Sequence, residues 1–213
     1  MKNNLTEIVF IIDRSGSMSG LEADTVGGFN SMIEKQRKKE GGAYVSTVLF
    51  DSKCEVIHDR VDISEIEPMT LENYRVGGST ALLDAIGDAI HHIGNVHKYA
   101  RPEDRPDSTI FIITTDGEEN SSRRHRIEDV KAKIERCREK YGWEFIFLGA
   151  NIDAFSAAER IGIGRDRVAN YRQDPVGVRV TYEAMGEAIM AVRSGRSVGG
   201  WQRKINEDNE RRG

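Results

Sequence analysis

Residues 7–20 read EIVFIIDRSGSMSG, a short apolar run that stops at Asp13 and is followed by Ser15 and Ser17 at alternating positions. Continuous apolar residues over 7–12 predict a strand buried on both faces, the type found inside a parallel sheet. Working outward, residues 109–120 read TIFIITTDGEEN, a second buried-type strand ending in Asp116-Gly117, and between the two lies GGST at 77–80. Small oxygen-bearing side chains at the ends of two such strands, with a third cluster between them, are how a chain assembles a hard-cation site.

The rest of the chain alternates strands with helices. A helix is predicted over 21–39, with Val26, Phe29, Met32 and Ile33 facing inward and Gly41-Gly42 as its stop. Residues 44–50 and 54–60, separated by Asp51-Ser52-Lys53, read as a hairpin that puts one antiparallel strand at a sheet edge. Residues 63–76 read as a connection holding a short helical turn. A second helix opens at Thr80 or Ala81, with Leu82, Leu83, Ile86, Ile90 and Ile93 on one face. Residues 99–108, with Pro102 and Pro106, read as a surface loop.

After the strand at 109–114, a helix capped by Ser121 or Ser122 is expected to run to Lys140, carrying Ile127, Val130, Ile134 and Cys137. A strand at 144–148, a short helix at 155–160, a short edge strand at 167–169 and a helix at 181–193 complete the pattern. One domain spans 1–195, and 196–213, with a single Trp201 among polar residues, is expected to be a flexible tail. The alternation predicts an α/β fold, a doubly wound and mostly parallel sheet with helices on both faces.

Composition narrows the function. Apolar residues make up 38% of the 213, charged residues 31%, and the net charge is −4. That balance gives no general attraction to a phosphate backbone, so nucleic acid is not an expected partner. No segment approaches the roughly 20 apolar residues that span a bilayer, and MKNNLTE at the N-terminus lacks the apolar core of an export leader. Cys54 and Cys137 stand far apart without a CxxC context, which suits reduced thiols and a cytoplasmic location.

In a doubly wound sheet, ligands bind beyond the carboxyl ends of the strands where the strand order reverses. If the strands ending in Asp13 and Asp116 are neighbours there, their carboxylates converge. Ser15 and Ser17 would share one side of a turn that Gly16 lets fold tightly, and Thr80 would add a third neutral oxygen. Five oxygen groups with two formal charges suit Mg²⁺ or Mn²⁺, which favour six-coordinate oxygen geometry, more than Ca²⁺. Two charges leave such an ion able to accept a further carboxylate. The simpler account, turn-forming aspartates and helix-capping serines, fits either cluster alone but not three at matching points of one fold.

These residues carry a resemblance. Asp13, Ser15 and Ser17 in DRSGS, Thr80 in GGST and Asp116 in TDG are similar to the metal-ion-dependent adhesion site of the von Willebrand factor A, or integrin I-like, domain. The resemblance covers roughly residues 5–195, and the chain looks most like small stand-alone bacterial members associated with tellurium resistance (TerY and YegL types). It implies a six-stranded sheet in the order 3-2-1-4-5-6 with strand 3 antiparallel. It also implies direct ligation by Ser15 and Ser17, with Asp13 and Asp116 acting largely through waters and Thr80 switching between the two modes. A protein partner supplying a Glu or Asp to the ion is the implied ligand.

Two other readings compete: a metal-dependent phosphatase or hydrolase, and a regulatory subunit of an ATPase- or chelatase-like assembly. A haloacid-dehalogenase-type phosphotransferase needs a carboxylate where Ser15 stands. No P-loop spacing is present, and GIGRDR at 162–167 lacks the dinucleotide-binding spacing. Glu22, Glu118 and Glu119 are the nearest candidates for a base and are expected to line the rim instead, so no catalytic residue is assigned. His58, His91, His92, His97 and His125 have no ligand-spaced partners.

Overall fold

The structure, a computed structural model, describes residues 4–213; the first three residues of the N-terminal stretch read for a leader lie outside them. The centre is β1 (Leu5–Asp13), which pairs in parallel with β2 (Gly42–Phe50) on one side and β4 (Ser108–Thr115) on the other. β3 (Cys54–Asp62) adds to β2 antiparallel, while β5 (Glu144–Gly149) and β6 (Val168–Asn170) extend the sheet in parallel beyond β4. The order is therefore 3-2-1-4-5-6, as the resemblance implies. From Ile8 to Ile12 every side chain of β1 is at most 2% exposed, because the strand has neighbours on both edges and helices on both faces.

One face is covered by α1 (Glu22–Arg37) and α5 (Pro175–Arg193), the other by α2 (Leu82–Tyr99), α3 (Ile127–Tyr141) and the short α4 (Ala154–Arg160). The alternation along β1 divides it between two cores: Ile8, Phe10 and Ile12 toward α1 and α5, Val9 and Ile11 toward α2. Phe10 meets Phe29 of α1 edge to face at 5.2 Å. α1 and α5 approach closely because Gly28 has no side chain; a Cβ there would stand 2.4 Å from Cδ2 of Tyr182.

Three expectations are corrected. The helix after β4 does not start at Ser121 or Ser122 but at Ile127, because residues 118–125 wrap back to cap α2. Ser122 Oγ accepts from Asp84 N at 3.0 Å and Glu119 Oε2 from Leu83 N at 2.8 Å. The Asp84 carboxylate in return accepts from the backbone N–H groups of Arg123, Arg124 and His125.

Second, α5 begins at Pro175 rather than Thr181, with Asp174 as its cap accepting from Gly177 N at 2.8 Å and Pro175 at the first turn. Third, residues 196–213 are not a loose tail. They turn back through Gly199-Gly200 into α6 (Arg203–Arg212), which packs on α5 and β6 and buries Val198, Trp201 and Ile205. Lys204 bridges to Glu187 at 2.8 Å, and Arg212 to Asp174 at 2.8 Å.

No helix among the described residues is long and apolar enough to cross a membrane.

Candidate metal centre

The strand order reverses between β1 and β4: α1 leads from β1 to β2 on one side, and the later crossover through α2 reaches β4 on the other. Their carboxyl ends open the crevice where such sheets place their sites. Asp13 closes β1, and Asp116 follows β4 directly. Both are buried, at 1% and 3% exposure, as are Ser15 and Thr80 at 2% and 3%.

The loop after β1 is tied down by backbone bonds. Gly16 N donates to Gly78 O at 3.2 Å, Gly77 N to Arg14 O at 2.9 Å, and Arg14 N to Phe50 O at 2.8 Å. GGST is thereby stitched alongside DRSGS. Gly78 has φ +74°, and a Cβ there would stand 2.7 Å from Ser52 Oγ, so this crossing needs glycine.

All five expected oxygens gather here. Asp13 Oδ1 accepts from Ser15 N and Oδ2 from Thr115 Oγ1, each at 2.7 Å, and its carbonyl accepts from Tyr74 Oη at 2.5 Å. Asp116 Oδ1 accepts from Ser17 Oγ at 2.7 Å and from Ser15 Oγ at 3.4 Å, and the two hydroxyl oxygens lie 3.1 Å apart. Thr80 is held by a two-way bond with Asn120: Thr80 N donates to Asn120 Oδ1 at 3.0 Å, and Asn120 N donates to Thr80 O at 3.1 Å. A Cβ on Gly117 would meet Thr80 Oγ1 at 3.2 Å and Ser17 Oγ at 3.8 Å, which brings Thr80 beside the other four and makes the position after Asp116 a tight one.

Burial pushes the Asp13 carboxyl above the ordinary carboxylate range, against the pull of its bonds from Ser15 and Thr115. Burial also raises Asp116, with the charge of Asp13 adding to it. Among the described residues neither carboxylate has a lysine, arginine or histidine partner in ion-pair range. Two adjacent buried carboxylates without a counter-charge are costly unless a cation compensates them. The donor set fits one, since all five groups are hard oxygens converging from three loops. No group of three His, Cys, Asp or Glu side chains among the described residues could hold a metal, so here a cation would depend on the hydroxyls.

The rim carboxylates have other work. Glu22 Oε2 accepts from Gly20 N at 2.8 Å, and Glu119 accepts from Ser121 N, Ser122 N and Leu83 N. Glu118 alone of the three is exposed. The histidines are accounted for locally: His58 bridges Thr47 Oγ1 and Glu67 O, His97 reaches buried Glu7, His92 Asp59 and His125 Asp88. His91 accompanies Asn95. Cys54 and Cys137 are free, and burial pushes both thiols up to about 11.

Two residues at the site carried no sequence signal. Gln173, before α5, donates from Nε2 to Ser17 O at 2.6 Å and to Asp116 Oδ2. Asn151, after β5, donates to Gln173 Oε1. A lone glutamine and a lone asparagine in polar loops match no motif, and only the folded arrangement of β5 and β6 beside β4 brings them in.

Residues 7–175 match the family model of the von Willebrand factor type A domain. No curated protein matches the chain. Among solved structures, a von Willebrand factor type A protein from Catenulispora acidiphila is 17% identical with a TM-score of 0.60, over 89% of this chain and 43% of that one. Proximal thread matrix protein 1 from the mussel byssus, with a zinc-occupied MIDAS motif, is 15% identical with a TM-score of 0.57, over 85% and 44%. The corresponding domain of the type V pili tip protein Mfa5 from Porphyromonas gingivalis is 10% identical with a TM-score of 0.60, over 88% and 96%. The chain spans less than half the length of the first two of these structures. At such identities the likeness establishes a shared fold.

Proposed function

The chain belongs to the von Willebrand factor type A family, and from that premise we propose that it is a divalent-cation-dependent protein-binding module. Asp13, Ser15, Ser17, Thr80 and Asp116 would hold Mg²⁺ or Mn²⁺, and the ion would take an acidic side chain of a protein partner as a further ligand. Domains of this family commonly serve as metal-dependent interaction modules, and a mussel relative carries zinc at its MIDAS motif. The observation that carries the reading is the buried, mutually adjacent pair Asp13 and Asp116, without a basic partner among the described residues and ringed by three hydroxyls.

Two charges around a doubly charged ion leave it receptive to one more carboxylate, which is the binding function. The non-enzymatic reading is supported at two of the three rim carboxylates: Glu22 and Glu119 accept from backbone N–H groups, and Glu118 is exposed. The chain's overall resemblance to small stand-alone bacterial members is the ground for placing it in a tellurium-resistance or stress-associated assembly, and its two free cysteines for a cytoplasmic location. Capture of a Glu-bearing peptide library on the immobilised chain tests the reading. Retention is expected in Mg²⁺ and loss in chelator or in Asp13→Ala; equal retention in all three would refute it. Hydrolysis of a generic phosphoester that vanishes in Asp116→Ala would instead favour the hydrolase.

A further inference from the structure

Gln173 lies in the crossing from β6 to α5, between buried Tyr171 and the α5 cap Asp174. Its single carboxamide joins three loops at the carboxyl edge of the sheet. The nitrogen donates to the Ser17 carbonyl at 2.6 Å and to Asp116 Oδ2, reaching the loops after β1 and β4. The oxygen accepts from Asn151 in the loop after β5. Asn151 has φ +53°, a left-handed conformation that asparagine adopts more readily than most residues, and this turn aims its side chain at Gln173.

The two ends of an amide are not interchangeable: the Ser17 carbonyl and the Asp116 carboxylate can only accept, so the Gln173 NH₂ must face them and its oxygen is left to take the Asn151 donor. With its oxygen engaged, the Gln173 NH₂ faces Asp116. The Asp116 carboxylate is thereby divided: Oδ2 is held by Gln173, and Oδ1 is turned to Ser15 and Ser17. An amide performs this orientation without adding charge, which leaves the site at two carboxylates. A hydrogen-bonded neighbour that fixes the rotation of a ligating carboxylate tunes metal affinity even though it never touches the ion.

Resting on the cation reading above, we propose that Gln173, its oxygen held by Asn151, is the positioning residue that aims Asp116 Oδ1 at the cation. The alternative is that Gln173 only ties loops together, in which case its loss weakens the fold and leaves cation affinity alone.

The test is calorimetric titration of Mn²⁺ into the full chain and into Gln173→Leu, Asn151→Ala and the double variant, with Tm of each recorded in excess chelator. Gln173→Leu is expected to weaken Mn²⁺ binding about 10–100-fold. Asn151→Ala should weaken it less, and the double variant no more than Gln173→Leu alone, since both act through one amide. Wild-type Mn²⁺ affinity in Gln173→Leu, or losses that simply add in the double variant, would overturn the assignment, whatever happens to Tm. If Gln173→Leu fails to fold, unchanged affinity in Asn151→Ala overturns it equally. A wild-type chain that binds no Mn²⁺ overturns the cation reading, and this assignment with it.

Discussion

Replacing Asp13 with asparagine should separate the fold from its cation. Asp13 Oδ1 accepts from Ser15 N and Oδ2 from Thr115 Oγ1, both at 2.7 Å. An asparagine can keep both contacts, its oxygen taking the Ser15 N–H and its NH₂ donating to Thr115 Oγ1, whose single proton then turns to Gly117 O at 3.0 Å. Each bond to the former carboxylate weakens from about 1.5–3 to about 0.5–1.5 kcal/mol. Removal of a buried charge whose ionisation burial already disfavours offsets that loss. In chelator, then, the variant should unfold within a few degrees of the wild type.

With cation the two must diverge. At a concentration 100 times Kd, linkage stabilises the wild-type fold by about 2.7 kcal/mol. For a chain of this size each kcal/mol moves Tm by about 2–4 °C, so the wild type should gain about 5–11 °C in saturating Mg²⁺ or Mn²⁺ and Asp13→Asn almost nothing. The assay is thermal unfolding of both proteins across a cation titration. An equal gain in both would refute the reasoning, because it would place the stabilising ion elsewhere.

Three other outcomes follow from the packing and charge. In chelator, the raised pKa values of Asp13 and Asp116 mean the folded state holds their protons more tightly than the unfolded state, so their contribution to stability falls as pH rises from about 3.9 through the raised folded values. The Tm of Asp13→Asn relative to wild type should therefore climb with pH over that window; a constant difference would contradict it. Ile205→Ala, which empties the α6 anchor at 1% exposure, should cost about 2–5 kcal/mol in denaturant unfolding, and a cost near zero would mean α6 is not packed as described. Gly28→Ala should cost about 1–3 kcal/mol by driving a methyl into the buried Tyr182 ring, and a neutral substitution would contradict the close approach of α1 and α5.

Much of this architecture is legible in the chain because the signals are local. Ile8–Ile12 and the run before Asp116 are apolar without interruption, and their terminal aspartates stand at the ends of neighbouring strands. What escaped reading depends on distant partners. Ser122 looks like a cap for the helix that follows it, yet its hydroxyl caps α2 at Asp84, 38 residues back in the chain, because the loop folds over that helix. The α6 segment has too few apolar residues to signal a packed helix. Trp201 and Ile205 suffice because α5 and β6 offer a surface and Lys204 and Arg212 meet carboxylates there. The Asp174-Pro175 start of α5 is a local signal that the weak apolar pattern after it obscured. Gln173 and Asn151 carry no pattern at all, since their meaning lies in the crossing of three loops.

The most direct measurement is anomalous diffraction from a crystal of the chain soaked in Mn²⁺. The account predicts one strong peak between the loops after β1 and β4, beside Ser15 Oγ and Ser17 Oγ and absent from Asp13→Asn. A peak at any other place, or none at saturating Mn²⁺, would contradict it.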